Sequence, residues 1–515
     1  MASNIKQYSC IRTNNIARIQ FEFHVFSAFQ LLKFMYFCTM NFPSPNLFED
    51  YEELFRRIGR VADADGLEIY LIGGFVRDIY LQRESKDIDI VVVGKGIDFA
   101  KKVASDLKKV KLSYFENFGT AQILYKDLII EFVGARKESY RKDSRKPLVE
   151  EGTLKDDQER RDLTINAMGI SLNEKTFGKL VDPFGGIDDL DRQIIRTPLD
   201  PDTTFSDDPL RMLRAIRFAS QLGFRIDENT FDGIERNKER ISIISQERIT
   251  DELNKIILSP MPSIGFEYLF DTGLLKLIFP EMVELYGVET RNNLSHKDNF
   301  YHTLQVLDNL AMLSKDLWLR WAAILHDIAK PATKRFEPGI GWTFHGHEDK
   351  GSRMVKPIFA KLKLPLNEKM KFVEKMVLLH LRPIVLSQEI VTDSAVRRLM
   401  MEVGEDIDSL MLLCKSDITS KNEKKVERIK KNFAQVEIKI KDVLERDYLR
   451  NWQPPITGLD IMNTFNIVKK EDIGNLKAIV KQAILDGHVE DNKETAMLFL
   501  IKKANEMGIE EKIKI

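Results

Sequence analysis

The chain has 515 residues, of which 43% are hydrophobic and 30% charged, with a formal net charge of −1. This length exceeds a single hydrophobic core and predicts three or four domains. Because the charges nearly balance, binding to a polyanion would require local basic patches. No run of eighteen apolar residues is present to span a membrane. Three scattered cysteines (Cys10, Cys38, Cys414) exclude a disulfide framework and fit a reducing, cytoplasmic compartment.

Residues 1–39 form an unusual prefix with a cluster of aromatic side chains. The cluster comprises Phe21, Phe23, Phe26, Phe29, Phe34, Tyr36 and Phe37. A targeting segment would show a clean apolar core followed by a small-residue cleavage site, and the prefix has no such combination. Met40 stands just ahead of an acidic helical segment. We therefore interpret residues 1–39 as an uncertain prefix and expect translation to begin at Met40.

The next predicted elements are two short strands separated by a glycine turn. An apolar run at 69–72 ends at Gly73 and Gly74, and a second run begins at Asp87 and Asp89. Side chains alternate along a strand, so both carboxylates project to the same side. Aligned carboxylates can bind Mg²⁺ for phosphoryl transfer, and glycines let the backbone approach a triphosphate. The pattern predicts a metal-dependent nucleotidyl-transfer site, whereas an isolated Asp-Ile-Asp would be an ordinary surface strand start.

Further along, an apolar strand at 128–133 contains one carboxylate, Glu131. We predict it to be a third acidic residue near the metals; the alternative is a charge on an edge strand. The segment 136–147 carries six cations and two anions with little apolar content. That composition predicts a mobile loop beside the site, or simply a solvated connection.

Arginines dominate the following blocks. Arg160 and Arg161 precede Asp162 and Asn166, and adjacent guanidinium groups suit a triphosphate or a ribose, although a solvated basic pair is the simpler alternative.

A second block contains Asp208 and Arg211, followed by Arg214 and Arg217. On one helix face, an Asp and an Arg three residues apart offer an acceptor and a fork of donors to a base edge, or form an ordinary salt bridge. Arg214 and Arg217 continue this spacing as a basic stripe for which phosphate is the natural partner.

These blocks resemble, in order, the signatures of the tRNA nucleotidyltransferase and bacterial poly(A) polymerase family, within the DNA polymerase beta-type nucleotidyltransferase superfamily. The matching segments are Gly-Gly-Phe-Val-Arg-Asp at 73–78, Asp-Ile-Asp at 87–89, Arg-Arg-Asp-Leu-Thr-Ile-Asn-Ala at 160–167, Asp-Pro-Phe-Gly-Gly at 182–186 and Asp-Asp-Pro-Leu-Arg at 207–211. Leu163 replaces the family's Phe, and Asp207 replaces its more frequent Glu, which weakens inference about nucleotide choice more than about activity.

The resemblance implies that Asp87 and Asp89 are catalytic and hold Mg²⁺, with Glu131 as a third ligand. It implies nucleotide binding by Gly73, Gly74, Arg77, Arg160, Arg161, Asp162, Asn166, Asp208, Arg211, Arg214 and Arg217. Within this set, Asp208 and Arg211 would read C and A through hydrogen bonds that resemble base pairing.

Histidines are concentrated in one region, with six of the eight between 296 and 380. His302, His326-Asp327 and Asp417 resemble in order the His, His-Asp, Asp ligand set of the HD metal-dependent phosphohydrolase superfamily. His347 and His380 are candidates for a second metal or for phosphate. Imidazole and carboxylate donors suit a divalent Mn, Ni, Co or Fe ion, or Mg²⁺, that acidifies bound water. His302 alone would be interpreted as a core residue.

The resemblance implies an α+β fold: a polymerase beta-type head with a mixed sheet plus helices, followed by all-α neck, HD and tail domains. The expected boundaries are 1–39 for the prefix, 40–199 for the head, 200–290 for the neck, 291–421 for the HD domain and 422–515 for the tail. Pro454-Pro455-Ile456-Thr457-Gly458 predicts a turn and a helix start in the tail, which either contacts tRNA or only packs.

The function implied is addition of CCA to the 3′ end of tRNA from CTP and ATP, with an auxiliary phosphohydrolase. The alternatives are poly(A) polymerase, an enzyme that adds only CC or only A, and a phosphohydrolase that acts on RNA ends. The expected partners are tRNA, CTP and ATP, with no membrane, in the cytoplasm. The sequence does not indicate the substrate of the HD domain or the oligomeric state.

Overall fold

The computed structural model describes residues 51–116, 119–141, 144–386, 393–419, 423–451, 454–466, 470–485, 488–490 and 492–512. The prefix 1–39 and the expected start at Met40 lie outside these ranges. The chain forms two compact units, Met1–Glu374 and Lys375–Ile515. Within the described ranges, no helix has both the length and the apolar character needed to cross a membrane.

The first unit begins with a head in which helices alternate with strands. Its elements are α1 (Glu52–Asp65), β1 (Ile69–Ile72), α2 (Gly74–Tyr80), β2 (Asp87–Val92), α3 (Gly96–Leu107), β3 (Lys111–Phe115), β4 (Thr120–Tyr125), β5 (Leu128–Gly134), β6 (Arg136–Arg141), β7 (Ser144–Glu151), α4 (Leu154–Glu159), β8 (Gly169–Ser171), β9 (Leu180–Val181), α5 (Gly186–Asp191) and β10 (Ile194–Ile195). A 3₁₀ turn at Thr164–Asn166 lies between α4 and β8.

A seven-stranded sheet in the order β3-β4-β5-β2-β1-β8-β9 organises the head. Strands β2 and β5 run parallel, whereas the other neighbours are antiparallel. Ile88 and Ile90 are fully buried, as the alternation along β2 predicts. On the same side, Phe99 of α3 packs edge-on against Phe132 of β5 at 5.7 Å between ring centroids. The mixed sheet with helices confirms the predicted α+β head.

The prediction of a loop over 136–147 is wrong, because β6 and β7 pair as an antiparallel hairpin. Its register places Arg136 opposite Glu151 and Lys137 opposite Glu150. Opposite charges across a strand pair are favourable, and here the acidic partners follow the basic segment in the chain. The composition of residues 136–147 alone therefore did not indicate that this segment pairs with a strand containing Glu150 and Glu151.

The rest of the first unit is mainly helical. Its elements are α6 (Pro201–Asp207), α7 (Leu210–Leu222), β11 (Arg225–Ile226), α8 (Glu228–Asn237), α9 (Gln246–Ile257), α10 (Pro262–Asp271), α11 (Leu274–Ile278), α12 (Pro280–Val283), β12 (Thr290–Arg291), β13 (Leu294–Ser295), α13 (Asn299–Ala311), α14 (Leu317–Leu325), α15 (Lys330–Thr333), β14 (Arg335–Glu337), β15 (Gly341–Thr343), α16 (His347–Lys361) and α17 (Glu368–Leu379), within which the boundary between the units falls. Helix α7 packs against both α9 and α10.

The second unit consists of helices in the part that the structure describes. They are α18 (Arg382–Leu386), α19 (Asp393–Val403), α20 (Ile407–Asp417), α21 (Glu423–Asn451), α22 (Gly458–Thr464), α23 (Lys470–Leu485) and α24 (Lys493–Glu506). The predicted helix start in the tail is confirmed, since Thr457 caps α22 in a reciprocal capping box with Asp460. Ile461, Leu476 and Leu500 from the last three helices share one core.

A half-buried carboxylate on α10 makes stability depend on pH. Burial, followed by repulsion from Asp271 and Asp308, raises the pKa of Glu267 from 4.5 to about 7. The folded protein therefore keeps a proton that the unfolded chain releases above its ordinary pKa. The free energy of unfolding should fall as pH rises from 4.5 to about 7, and the loss should be complete above that range.

Glu267→Gln cannot ionise, so it should raise the melting temperature of the first unit at pH 8 by roughly one to three degrees. The gain should shrink as the pH is lowered to 5. Thermal unfolding at both pH values measures this, with Glu235→Gln, an exposed position on α8, as the matched control. A gain of equal size at both pH values would contradict the prediction.

Candidate nucleotide and metal sites

The turn before α2 lies directly against the predicted site residues. Gly73 has φ +80, a conformation that side chains disfavour. A Cβ added at Gly73 would come within 3.0 Å of Nη1 of Arg161 and 3.1 Å of Oδ2 of Asp89. Glycine is therefore required both by the backbone conformation and by the close approach of these two side chains.

Three carboxylates share one face of the sheet. Asp87 and Asp89 lie two residues apart on β2 and so project to the same face. Glu131 of β5 lies directly beside Asp89 in the parallel register. Burial is the main cause that raises the pKa of Asp89 to about 6; Glu131 and Asp87 add to it, and the charge of Arg161 opposes it. Clustered negative charge and oxygen-only donors fit a Mg²⁺ ion.

Glu131 also accepts a hydrogen bond from Nε2 of Gln122 at 3.0 Å. This contact fixes the carboxylate at its place on the face. The expected proximity of Glu131 to Asp89 is present, whereas its role as a metal ligand stays a prediction.

The arginine pair depends on Asp157, which the sequence analysis missed. Asp157 is fully buried and accepts hydrogen bonds from Nε of Arg160 at 2.9 Å and Nε of Arg161 at 3.1 Å. Burial works to raise the pKa of Asp157, but the charges of Arg161 and Arg160 outweigh it and lower the pKa. The sequence signal was the helical spacing of three and four residues between this acid and the two arginines.

A second network joins four other predicted nucleotide-binding residues. Nη1 of Arg77 donates to Oδ1 of Asn166 at 2.8 Å, and Nδ2 of Asn166 donates to Asp162 at 3.1 Å. Nε of Arg214 donates to the other oxygen of Asp162 at 2.7 Å. Although burial works to raise it, Arg214 and Asn166 hold the pKa of Asp162 at about 2. The network therefore connects α2, next to the glycine turn, with α7.

The two residues predicted to read the base do not lie on one helix face. Asp208 precedes α7 in an extended conformation, because Pro209 follows it and disfavours the helical conformation. Its side chain accepts a hydrogen bond from the backbone N–H of Leu210 at 3.1 Å. The expectation of an i,i+3 helical pair is wrong for Asp208, while Arg211 lies in the first turn of α7.

Arg211 is buried and bound to backbone carbonyls. Nη1 donates to the carbonyl of Thr204 at 3.3 Å, and Nη2 donates to the carbonyl of Arg160. These two contacts fix the plane of the guanidinium group. They do not use all of its N–H donors. A role in base reading stays a prediction.

The expected basic stripe on α7 is a row of ion pairs. Arg217 is buried and lies 3.2 Å from Glu252 of α9, as Arg214 lies against Asp162. Burial lowers the pKa of Arg217. Both guanidinium groups therefore have protein partners, and their predicted phosphate contacts remain untested.

Three of the predicted HD residues, His302, His326 and His347, surround a fourth, Asp327, in the first unit. Oδ2 of Asp327 lies 3.4 Å from Nε2 of His302 and 3.2 Å from Nε2 of His326, and Oδ1 lies 3.3 Å from Nε2 of His347. Although burial opposes it, His326 and Lys330 hold the pKa of Asp327 well below its ordinary value. We call these four residues the HD centre.

The histidine tautomers suit metal binding. Nδ1 of His326 contacts the carbonyl of Ala323 at 2.7 Å, and Nδ1 of His347 contacts that of Phe344 at 2.8 Å. A carbonyl only accepts, so Nδ1 carries a proton, and Nε2 is the nitrogen that faces the centre, where its lone pair would bind a metal once Nε2 is deprotonated. Nitrogen and oxygen donors in this arrangement fit a first-row divalent ion.

His380 and Asp417 belong to the second unit. His380 is buried, and its Nδ1 contacts the carbonyl of Val377 at 2.7 Å, the same arrangement as in the other two histidines. Asp417 is the last residue of α20. Their assignment as ligands stays a prediction.

Three protein families match the chain in order. Residues 69–196 match the Poly A polymerase head domain, residues 223–285 match the probable RNA and SrmB-binding site of polymerase A, and residues 299–422 match the HD domain. The HD match includes all six predicted HD residues.

Similar proteins include the multifunctional CCA protein of Nitrosococcus oceani, 35% identical over 307 residues, which covers 58% of this chain and 71% of the relative. The A-adding tRNA nucleotidyltransferase of Geobacter sulfurreducens is 36% identical over 234 residues, 45% of this chain. The chain spans only 26% of that relative's length. A solved CCA-adding enzyme in complex with ATP is 25% identical, with a TM-score of 0.54, over 88% of this chain and 96% of the other. The chain therefore belongs to the tRNA nucleotidyltransferase and poly(A) polymerase family, in a form that carries an HD domain.

Proposed function

We propose that this chain is a tRNA nucleotidyltransferase that adds C, C and A to the 3′ end of tRNA from CTP and ATP. The observation that carries the proposal is the convergence of Asp87, Asp89 and Glu131 on one sheet face beside the Gly73 turn. Relatives named multifunctional CCA protein support it. In each step the terminal ribose hydroxyl of the tRNA attacks the α-phosphate, a new phosphodiester bond forms, and pyrophosphate leaves.

The head residues divide the work between charge and position. Asp87 and Asp89, with Glu131, would hold Mg²⁺, and the ion would supply neutralisation of phosphate charge. Arg161 lies beside both Gly73 and Asp89, so its guanidinium is positioned for the phosphates that the turn admits. Asp157 orients it.

The neck would supply base recognition and RNA binding. Arg211, fixed by the carbonyls of Thr204 and Arg160, would present its remaining donors to the base, with Asp208 as the acceptor. Arg77, Asp162, Asn166 and Arg214 act through their shared network, which sets the position of α7 relative to the turn. We place the head at 40–199, the neck at 200–290, the HD domain at 291–421 and the tRNA-binding tail at 422–515.

The HD domain would act as a second enzyme, a metal-dependent phosphohydrolase. His302, His326, Asp327 and Asp417 are the proposed ligands of a divalent Mn, Ni, Co or Fe ion or Mg²⁺, with His347 and His380 for a second ion or a phosphate. The ion would supply an activated water. The fixed Nε2 lone pairs of His326 and His347 support this assignment.

The alternative is addition of A alone, favoured by the similarity to an A-adding relative. Incubation of the purified protein with tRNA that lacks its 3′ end should give two additions with CTP alone and three with CTP plus ATP, then a halt. Electrophoresis at single-nucleotide resolution measures this. A single addition, made only to tRNA ending in CC, would establish A-only activity; long A tails would indicate poly(A) synthesis. No incorporation with Mg²⁺ would overturn the transferase assignment.

The two activities should respond to separate substitutions. Asp89→Asn should lower nucleotide incorporation by at least roughly a hundredfold, because a negative oxygen donor beside the phosphates is lost. It should leave hydrolysis of phosphate esters unchanged, and His326→Asn should do the reverse. Asp127→Asn, at an exposed turn, is the control for Asp89→Asn.

Folding defects can be distinguished from lost catalysis in this experiment. Since burial and neighbouring carboxylates disfavour ionised Asp89, Asp89→Asn should not lower the melting temperature at pH 8. If either variant lost both activities while still folded, the separation into two sites would be wrong.

Nucleotide choice should depend on the planar guanidinium of Arg211. Arg211→Lys keeps the charge but cannot form a fork of hydrogen bonds. We expect kcat/KM for CTP and ATP to fall roughly ten- to a hundredfold, as for the loss of one or two hydrogen bonds to a charged group. Misincorporation of UTP or GTP should rise in relative terms. Single-turnover incorporation of each nucleotide tests this, and an unchanged preference would exclude Arg211 from base reading.

A further inference from the structure

Four rings form a connected surface on two small hairpins near the HD centre. We call it the aromatic surface: His296, Phe336, Trp342 and Phe344. Trp342 meets His296 edge-on at 5.4 Å and Phe336 at 5.3 Å between ring centroids, and His296 meets Phe344 at 5.7 Å. All four side chains are only half-buried, so the cluster is part of the protein surface.

The polar edges of these rings already have partners. Nε1 of Trp342 donates to the carbonyl of Leu294 at 3.1 Å. His296 accepts from the backbone N–H of Glu289 at 3.1 Å, and its Nδ1 donates to the carbonyl of Lys297 at 2.7 Å. These hydrogen bonds occupy the polar edges of Trp342 and His296, so a base would stack on the parts of the ring surface that stay exposed.

Cations accompany the rings. Arg291 lies 4.8 Å from the ring centre of Phe336, Lys334 lies 5.6 Å from that of Trp342, and Lys330 lies 5.7 Å from that of Phe344. Aromatic faces interleaved with cations are the composition that binds single-stranded nucleic acid, because bases stack and phosphates pair with the charges. An uncharged apolar partner would not require the cations.

The aromatic surface is joined to the HD centre by one direct contact and by one cation, Lys330, that contacts both. Nζ of Lys330 lies 2.5 Å from Oδ2 of Asp327, and the same ammonium group faces Phe344. The carbonyl of Phe344 accepts the hydrogen bond that fixes His347. A phosphate at the HD centre would therefore have aromatic rings beside it, where the base of the same nucleotide could lie.

We propose that the aromatic surface is a base-stacking subsite for the substrate of the HD centre. The inference rests on the proposed phosphohydrolase function and assigns the base, not only the phosphate, a place in the site. In the reaction, the water oxygen forms a bond to phosphorus, the ester P–O bond breaks, and the leaving alkoxide takes up a proton. The base stays on the rings throughout.

A matched pair of substrates tests the subsite in the full-length protein. Adenosine 5′-monophosphate and ribose 5-phosphate share the phosphate and the sugar and differ by the base. Wild-type protein, with Mn²⁺, Ni²⁺, Co²⁺ or Mg²⁺, should hydrolyse the nucleotide with kcat/KM roughly five- to a hundredfold higher. Trp342→Leu should remove this preference without changing the rate on ribose 5-phosphate, and Trp342→Phe should retain most of it.

The control is Ile340→Ala, at the exposed tip of the same hairpin, which should keep the preference. Unchanged nucleotide incorporation in all variants verifies folding. A short RNA with a terminal phosphate distinguishes the sources of the ligand: a larger effect of Trp342→Leu than with the mononucleotide indicates RNA ends, and an equal effect indicates free nucleotides.

Calorimetric binding of the same two compounds separates failure of the subsite from failure of the proposed hydrolase. Base-dependent affinity that Trp342→Leu removes, without hydrolysis by any variant, would retain the subsite and overturn the hydrolase. Hydrolysis of both compounds at equal kcat/KM would retain the hydrolase and overturn the subsite. The subsite would also be overturned if wild type and Trp342→Leu showed the same dependence on the base in hydrolysis and in calorimetric binding.

Discussion

Two buried carboxylates of the head, Asp157 and Asp162, hold three arginines in place. Taking an ion pair out of water is costly, and removing one partner of a buried pair typically costs about 3–5 kcal/mol. Asp157 is fully buried between Arg160 and Arg161, and Asp162 is buried against Arg214. The positions of these arginines are therefore set before any nucleotide binds.

This arrangement solves an electrostatic problem. A site for a triphosphate needs cations close to the carboxylates proposed to bind the metal, yet Asp89 already lies against Glu131, and burial together with that repulsion raises the pKa of Asp89. Arg161 balances part of this charge from one side while Asp157 balances Arg161 from the other. Part of each charge is thus compensated by a neighbour, and a bound Mg²⁺ would neutralise part of the negative charge of an incoming triphosphate.

The sequence predicted those features that depend on local periodicity. Alternation along β2 placed Asp87 and Asp89 on one face, and the segment 454–458 marked the start of α22. It missed Asp157 because an acid in a charged helical segment is usually exposed, and only the tertiary fold buries it. The β6–β7 hairpin was missed for a related reason, since strand pairing depends on partner residues that lie outside the basic segment.

The start of α7 explains why Asp208 and Arg211 do not share a helix face as predicted. Spacing alone placed it with Arg211 on one helix, but Pro209 starts the helix after it, and Arg211 turns to the carbonyls of Thr204 and Arg160. The carbonyl of Arg160 thereby links the residue proposed to read the base to the pair proposed to bind the phosphates. Arg211 and the arginine pair are therefore connected through one backbone group.

The side chains proposed to bind metal are positioned by different means in the head and in the HD centre. The two sites should therefore respond differently to changes in the backbone. In the head, oxygen donors are aligned by strand register, so their geometry follows from the sheet itself. In the HD centre, His326 and His347 are each oriented by a carbonyl three residues earlier in the chain. These carbonyls stand at helix ends or turns, where small shifts of backbone rotate the ring. A metal bound at the HD centre would therefore depend on local backbone structure, including the segment at Phe344 that carries part of the aromatic surface, whereas a metal bound in the head would depend on the stability of the whole sheet.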